Sequence, residues 1–456
     1  MTMLLFVCAL VGLWAVGASM LAALGVRIGG PGGVACDVLV GMITVAAVGT
    51  MGVVSGFGAR VGVVYLLGLI VYLYARWRGR APSFRLPPLL GSRLGAGEIV
   101  AGVLVLGVLT AHLALAARDR LWWDGWAIWA PKSFALFRYG TLPADLRDPH
   151  GPLAYTQVGY PLALPLVQHW FFVHVRAASG AFASVVGVLL FALLPAMVYG
   201  ATAGAEQKLR LAAGVAVALC SPIAFYAAGG TADVLIALAL LGIVSEVLRD
   251  PTDPAVATRL GFWLLLAVLS KDEGVPLAAV TAVALAAYAL GRPRPWAWLA
   301  RVAAPLIFAL PWLVAVQWML LGTRVGAGSH VGAAAPVAPD GRALRFVTGL
   351  TVIFGQAPLL PLVLAAGLGL WLALHRGDSR GRTAAAIVLG YAAVLMIAYL
   401  FVFRSVDVGW LLQTAALRVF GPLLPASLVV AVSTVGCSSA ADMSKRNYGV
   451  DAPPGA

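Results

Sequence analysis

The sequence predicts an all-α, polytopic membrane bundle of about thirteen spans, with amphipathic interfacial helices in a long first outward loop. Three observations carry this. Hydrophobic residues make up 61% of the 456 positions and charged residues 11%, a balance unlike that of a soluble domain. Apolar runs of roughly 17–25 residues recur, the length a helix needs to cross the hydrocarbon core. The charges sit in short clusters between those runs, so the net charge of +13 reads as membrane orientation and no nucleic-acid partner is expected. Cys8, Cys36, Cys220 and Cys437 lie in or beside apolar runs without metal spacing and read as packing residues.

The first spans fall near 3–25, 36–57, 61–76 and 97–117. The first has no Lys or Arg before Arg27, so it reads as a retained span rather than a cleaved signal peptide. Residues 1–76 thus form three N-terminal spans. A loop at 77–96 with Arg76, Arg78, Arg80, Arg85 and Arg93 is cytoplasmic by the positive-inside rule. The fourth span then delivers Asp124 to the far side, at the head of a loop over 118–177.

That loop opens with LWWDGWAIWAPKSFALFRYG over 121–140, where Asp124 sits among Trp122, Trp123, Trp126 and Trp129, ahead of Lys132 and Arg138. Trp favours the membrane–water interface. Trp126, Ala130, Phe134 and Phe137 recur at helical spacing, with Pro131 starting the helix and Gly140 ending it, which predicts an amphipathic interfacial helix. A Trp-rich anchor without chemistry is the plainer reading. The apolar run PLALPLVQHWFFVHV over 161–175 is too short to cross and reads as a second interfacial helix.

With that helix on the surface, later spans fall near 178–201, 211–229, 232–249, 259–270, 275–291, 297–321, 356–374, 384–403 and 421–437. Inward connections then hold Lys208 and Arg210; Arg249 and Arg259; Arg292, Arg294 and Arg301; and Arg376, Arg380 and Arg382. Outward ones carry Arg324, Arg342, Arg345, Arg404 and Arg418, and 326–341 reads as a Gly-, Ala- and Pro-rich outward loop. Residues 438–456 read as a disordered cytoplasmic tail carrying Lys445 and Arg446.

Ionisable groups within spans are costly and mark function by default. Asp233, in GGTADVLIAL, stands at the mouth of a span. Lys271, Asp272 and Glu273 interrupt LLAVLSKDEGVPL after a run of about a dozen residues, so this turn should lie below the outer surface in a protein-lined cavity. Asp124, Asp233 and the KDEG turn fall on one side. Plainer readings stand beside these: Asp233 as a helix N-cap, and Lys271 as a structural ion pair with Glu273 or Asp272. Asp37 reads as a structural charge, Glu98 as a carboxylate suited to a helix start, and His169 and His174 as core residues before ligands.

A span, an acidic outward loop, interfacial helices and a helical bundle together resemble the GT-C glycosyltransferases, most closely the family 39 type of protein O-mannosyltransferases and lipid A aminoarabinose transferase. WDGWAIWAPKSFALFRYG looks like the acidic first-loop motif with its surface helix, YPLALPLVQHWFF like the second surface helix, YAAGGTADVLIALAL like the segment with the second acidic residue, and LLLAVLSKDEGVPLAAV like a Ser–Lys segment before Gly. The likeness covers 97–291, the expected catalytic core, and fades over the C-terminal spans at 292–437. It departs at Gly125, where the family often has Glu, at Gly159 and Tyr160, where the lipid A enzyme has a lysine, and in the three extra spans before residue 97.

The resemblance implies transfer of a sugar, with inversion, from a polyprenyl-phosphate donor to an acceptor hydroxyl on a glycan, lipid or protein. The expected site faces the extracytoplasmic side of the cell membrane. Such transfer needs a base, assigned to Asp124, and a second acid, Asp233, that orients the acceptor or shares a divalent metal. It also needs cations at the leaving phosphate: Lys271 first, then Lys132 and Arg418. Trp126, Trp129, Tyr160, His169 and Glu273 are the expected cavity lining. A transporter or flippase of a lipid-linked sugar is the rival class and predicts charges along a path to both faces.

Overall fold

The computed structural model describes residues 1–25, 30–80, 82, 95–118, 121–122, 124–147, 156, 159–249, 253–290, 295–315, 342–354, 359–402 and 416–448. The chain is mainly helical over these residues, with no strand among them. In a bilayer a helix satisfies its own backbone groups, which is why this composition folds so. Trp123, Arg85, Arg93, Arg292, Arg294, Arg324, Arg404 and the 326–341 loop lie outside the described residues.

The helices are α1 (Thr2–Ala23), α2 (Gly30–Val54), α3 (Val61–Trp77), α4 (Ala96–Ala116), α5 (Ala130–Tyr139), α6 (Ala144–Arg147), α7 (Ala163–Val175) and α8 (Gly180–Ala201). Then come α9 (Gln207–Ala218), α10 (Ser221–Ala228), α11 (Asp233–Arg249), α12 (Pro254–Ser270), α13 (Gly274–Leu290) and α14 (Pro295–Ala315). The last are α15 (Arg342–Phe354), α16 (Leu359–Arg376), α17 (Ser379–Ile397), α18 (Leu417–Phe420) and α19 (Leu423–Tyr448). Among the described residues eight helices are long and apolar enough to span, nine if α9 and α10, bent by 51°, count as one. Helices α3, α12 and α13 are apolar but shorter.

Contacts between connections sort the helix ends into two faces. On one, Arg80 donates to the Ala23 carbonyl at 3.3 Å, Gln207 bonds Glu98 at 2.5 Å, and Arg380 bonds the Arg249 carbonyl. We call this the basic face. Glu98 also accepts from the Gly95 amide at 2.9 Å, closing the start of α4 as its position foretold. On the far face the Ala59 amide donates to the Gly140 carbonyl at 2.6 Å, and the Trp122 amide to the Gly229 carbonyl at 3.1 Å. Since α4 and α9 both start at the basic face, α4 and α8 each cross once and α7 does not cross.

Helix α7 is nevertheless no surface helix. Residues 161–172 are all buried. The Trp170 indole donates to the Ala9 carbonyl at 3.0 Å, and His174 Nδ1 donates to the Trp170 carbonyl at 2.7 Å, which leaves Nε2 to accept from Tyr65 at 2.7 Å. A helix apolar on every side belongs in a core, and the ends of α1 to α3 supply it.

Helix α12 is also longer than the apolar run indicated. It starts at Pro254, capped by Asp253 accepting from the Ala255 amide at 2.8 Å, and spans about 25 Å. The turn at Lys271 therefore lies shallowly under the far surface. Helix α19 runs on to Tyr448, into the stretch expected as tail.

Candidate functional site

Asp124 precedes a π-helical turn, Gly125–Trp129, which leads into α5. Pro131 opens that helix and Gly140, at φ +72°, closes it. The π turn shifts the helical register. The buried stripe is therefore Trp129, Lys132, Ser133 and Leu136, while Trp126 is 44% exposed. Of the expected apolar face, Ala130 is buried and Phe134 and Phe137 pack on Phe172 of α7, so Trp126 alone is left outside it.

The approach of this turn to the bundle depends on glycine. A Cβ on Gly125 would lie 2.0 Å from the Gly229 carbonyl oxygen. Gly230 holds φ +75°, a conformation that disfavours other residues. This contact accounts for glycine at position 125: no side chain fits there. It also sets Asp124 beside the start of α11, which Asp233 begins.

Five charged side chains join there. Lys271 lies 3.0 Å from Asp233 and 3.0 Å from Glu273. Arg418, on α18, bonds Asp124 and places its Nε 3.6 Å from the other oxygen of Asp233. The order is Asp124–Arg418–Asp233–Lys271–Glu273, drawn from four parts of the chain. Both oxygens of Asp233 face cations. The side chains of Asp233 and Lys271 are buried, whereas those of Asp124, Arg418 and Glu273 keep 20%, 18% and 21% of their surface exposed. Bonding capacity remains: Glu273 Oε2 and Arg418 Nε are buried without a hydrogen bond.

Lys132 stands apart from this chain. It is fully buried, its Nζ 3.4 Å from the Tyr160 carbonyl and 5.6 Å from the Trp129 ring centre. Trp129 and Tyr160 stack at 5.5 Å, nearly parallel. Burial pushes the Lys132 ammonium down to about 7, against the upward pull of the Asp272 charge. Tyr160 lies within electrostatic reach of Lys271 and Glu273.

His169 does not join the site. Its Nε2 donates to the Ala59 carbonyl at 3.0 Å, so it holds α7 against the α2–α3 connection and lines no part of the ion cluster. Asp37 bonds the Trp14 indole at 3.1 Å, as a structural charge would.

Three surroundings of the site went unread in the sequence. Tyr391, on α17, and Tyr399, in the π turn that follows it, are buried about two turns apart and sense the charges of Lys271 and Glu273. Helix α15 brings Phe346 against Tyr399 and Phe420, with ring centres 6.1 and 6.3 Å away. The spacing of Tyr391 and Tyr399 was the available signal. Among the described residues no group of three or more His, Cys, Asp or Glu side chains is arranged to hold a metal ion. Comparison with protein-family models, curated proteins and solved structures finds no match to this chain.

Proposed function

We propose that this protein is a membrane glycosyltransferase that moves a sugar from a polyprenyl-phosphate donor to an acceptor hydroxyl at the far face, extracytoplasmic by the positive-inside rule. One observation carries the reading: Asp124, Asp233, Lys271, Glu273 and Arg418 meet in a single chain at that face, under partial cover. Burying five charges is costly, and a fold that needed only stability would do better with apolar residues.

In this reading Asp124 takes the proton of the acceptor hydroxyl. The freed oxygen bonds to the anomeric carbon, and the bond from that carbon to the phosphate oxygen breaks. The departing phosphate gathers negative charge, which Arg418 and Lys271 stabilise by each exchanging one carboxylate contact for a phosphate oxygen. Asp233 sits between the two cations and holds them in position. Trp122, 47% exposed and edge-on to Phe225, stands at the mouth with Trp126.

A second ion cluster at the basic face, around Glu246, is what a transporter would need. The α11 residues between it and Asp233 are buried and uncharged, a seal about 20 Å long. That favours chemistry at one face over a path between two.

The test uses the purified protein in lipid with a panel of polyprenyl-phosphate sugars, reading release of polyprenyl phosphate. Transfer by the wild type and its loss in Asp124→Asn, with donor binding retained, are expected. No transfer from any donor, together with movement of a lipid-linked sugar across proteoliposomes, would replace the enzyme with a transporter.

A further inference from the structure

A second site lies at the opposite end of the bundle, independent of the proposed transfer. Helices α13 and α17 pack antiparallel, and they approach closely at Gly390, where a Cβ would lie 2.9 Å from Val280 Cγ1. One helical turn toward the basic face, the register sets Ala284 opposite Ala386. A further turn sets Tyr288 opposite Arg382. Small residues follow the tight contact, so the helices leave a wedge between them. The wedge is a cleft of about 490 Å³ that Ala284, Ala287 and Ala386 line toward the membrane interior. Tyr288, Ser379, Arg382 and Thr383 line its end at the basic face.

Three features select its occupant. Arg382 is exposed in the first turn of α17, and no carboxylate among the described residues forms an ion pair with it. The nearby Asp378 is engaged in capping α17, accepting from the Gly381 amide at 2.8 Å. The flanks of the cleft are apolar and open: Val283, Leu290 and Leu389 are 72%, 68% and 40% exposed, which marks this side of the helix pair as lipid-facing. An apolar wedge that opens sideways to acyl chains and ends in a cation at headgroup depth matches an amphiphile with a negative head.

We propose that this cleft binds an anionic phospholipid from the basic-face leaflet, with its phosphate on Arg382 and an acyl chain along the alanine floor. The volume suits the headgroup and the first part of one chain. Basic pockets between helices on the cytoplasmic side hold anionic lipids by this combination of charge and groove.

The test uses the full-length chain, delipidated in a neutral detergent, with native mass spectrometry and thermal unfolding as readouts. Phosphatidylglycerol, phosphatidylcholine and inorganic phosphate are titrated separately. Phosphatidylglycerol should be retained and should raise the unfolding temperature well beyond phosphatidylcholine, and inorganic phosphate should do neither. Arg382→Gln should bind phosphatidylglycerol about fivefold more weakly, the effect of one cation at a lipid surface. Arg382→Lys should recover most of that binding. Ala386→Phe should weaken it by filling the floor; if that variant fails to fold, the exposed Arg382 substitutions still decide. Equal binding of phosphatidylcholine, equal stabilisation by inorganic phosphate, or unchanged binding in Arg382→Gln would each overturn the proposal.

Discussion

Helix α11 ends in an ion cluster at each face, and the two are built differently. At the basic face Glu246 bonds Arg259 at 2.7 Å and Arg249 at 3.3 Å. All three residues come from α11 and its hairpin partner α12, and Glu246 is 1% exposed. The cavity beside them, lined by Cys36, Glu246 and Trp263 among others, is about 10 Å³, the room of one water. At the far face Asp233 gathers partners from loop, turn and α18, and three of the five side chains reach the surface. The first cluster joins neighbours that the hairpin would bring together anyway. The second joins residues as far apart as Asp124 and Arg418. Ion pairs alone therefore do not mark a site; the distant origin of the partners does.

The comparison is broken most directly at Asp124. Asp124→Asn keeps size and shape and removes the carboxylate proposed as base, so the proposed transfer should fall about 10²–10⁴-fold while the unfolding temperature barely moves. Activity near wild type would strip the far-face cluster of its chemistry and leave two structural latches.

Glu246 should behave the opposite way. Glu246→Ala leaves Arg259 buried without its counter-charge, which costs about 3–5 kcal/mol of stability. Expression and unfolding temperature should drop, and the folded fraction should keep its specific activity. A stable Glu246→Ala with lost transfer would show that the basic-face cluster takes part in function.

Gly125→Ala sharpens the contrast at the far face. The added methyl meets the Gly229 carbonyl, and backbone shifts of this kind cost about 1–3 kcal/mol. Asp124 would move with its turn, so transfer should fall at least tenfold even though no charge is removed. Unchanged kinetics would mean that the docked turn does not set the position of Asp124.

The charges of the far-face cluster stand out in the sequence because apolar runs surround them, and span parity alone assigns Asp124, Asp233 and Lys271 to one side; Glu246 at the basic face was not read there. The partnership of Arg418 with Asp124 is another matter. It depends on how α18 seats against α10 and α17, which no local pattern encodes. The π turn inserts a residue into the helical period and leaves Trp126 outside the face that Phe134 and Phe137 present to α7. Helix α7 is apolar all round, a signal for burial within protein, but its length alone pointed to the interface. The need for glycine at 125 became intelligible only with Gly229 beside it.

The smallest expected effect concerns Lys132, which belongs to neither cluster. Its ammonium is fully buried between α5 and the Tyr160 backbone, and its proton is released near pH 7 in the folded protein rather than near the ordinary lysine value. Between those two pH values the unfolded chain binds the proton and the folded chain does not. Stability contributed at this position therefore rises as pH climbs from about 7 toward the lysine range and is flat below 7. Lys132→Met removes the titration while keeping an unbranched side chain of similar length. The difference in unfolding temperature between variant and wild type should be a few degrees in favour of the variant at pH 7 and should shrink steadily toward pH 10, because the wild type gains and the variant does not. A difference that stays constant over that range would mean that Lys132 keeps its proton when folded, held by a negative partner as the far-face cations are. It would then stand with Arg418 and Lys271 as a third permanent cation for the departing phosphate.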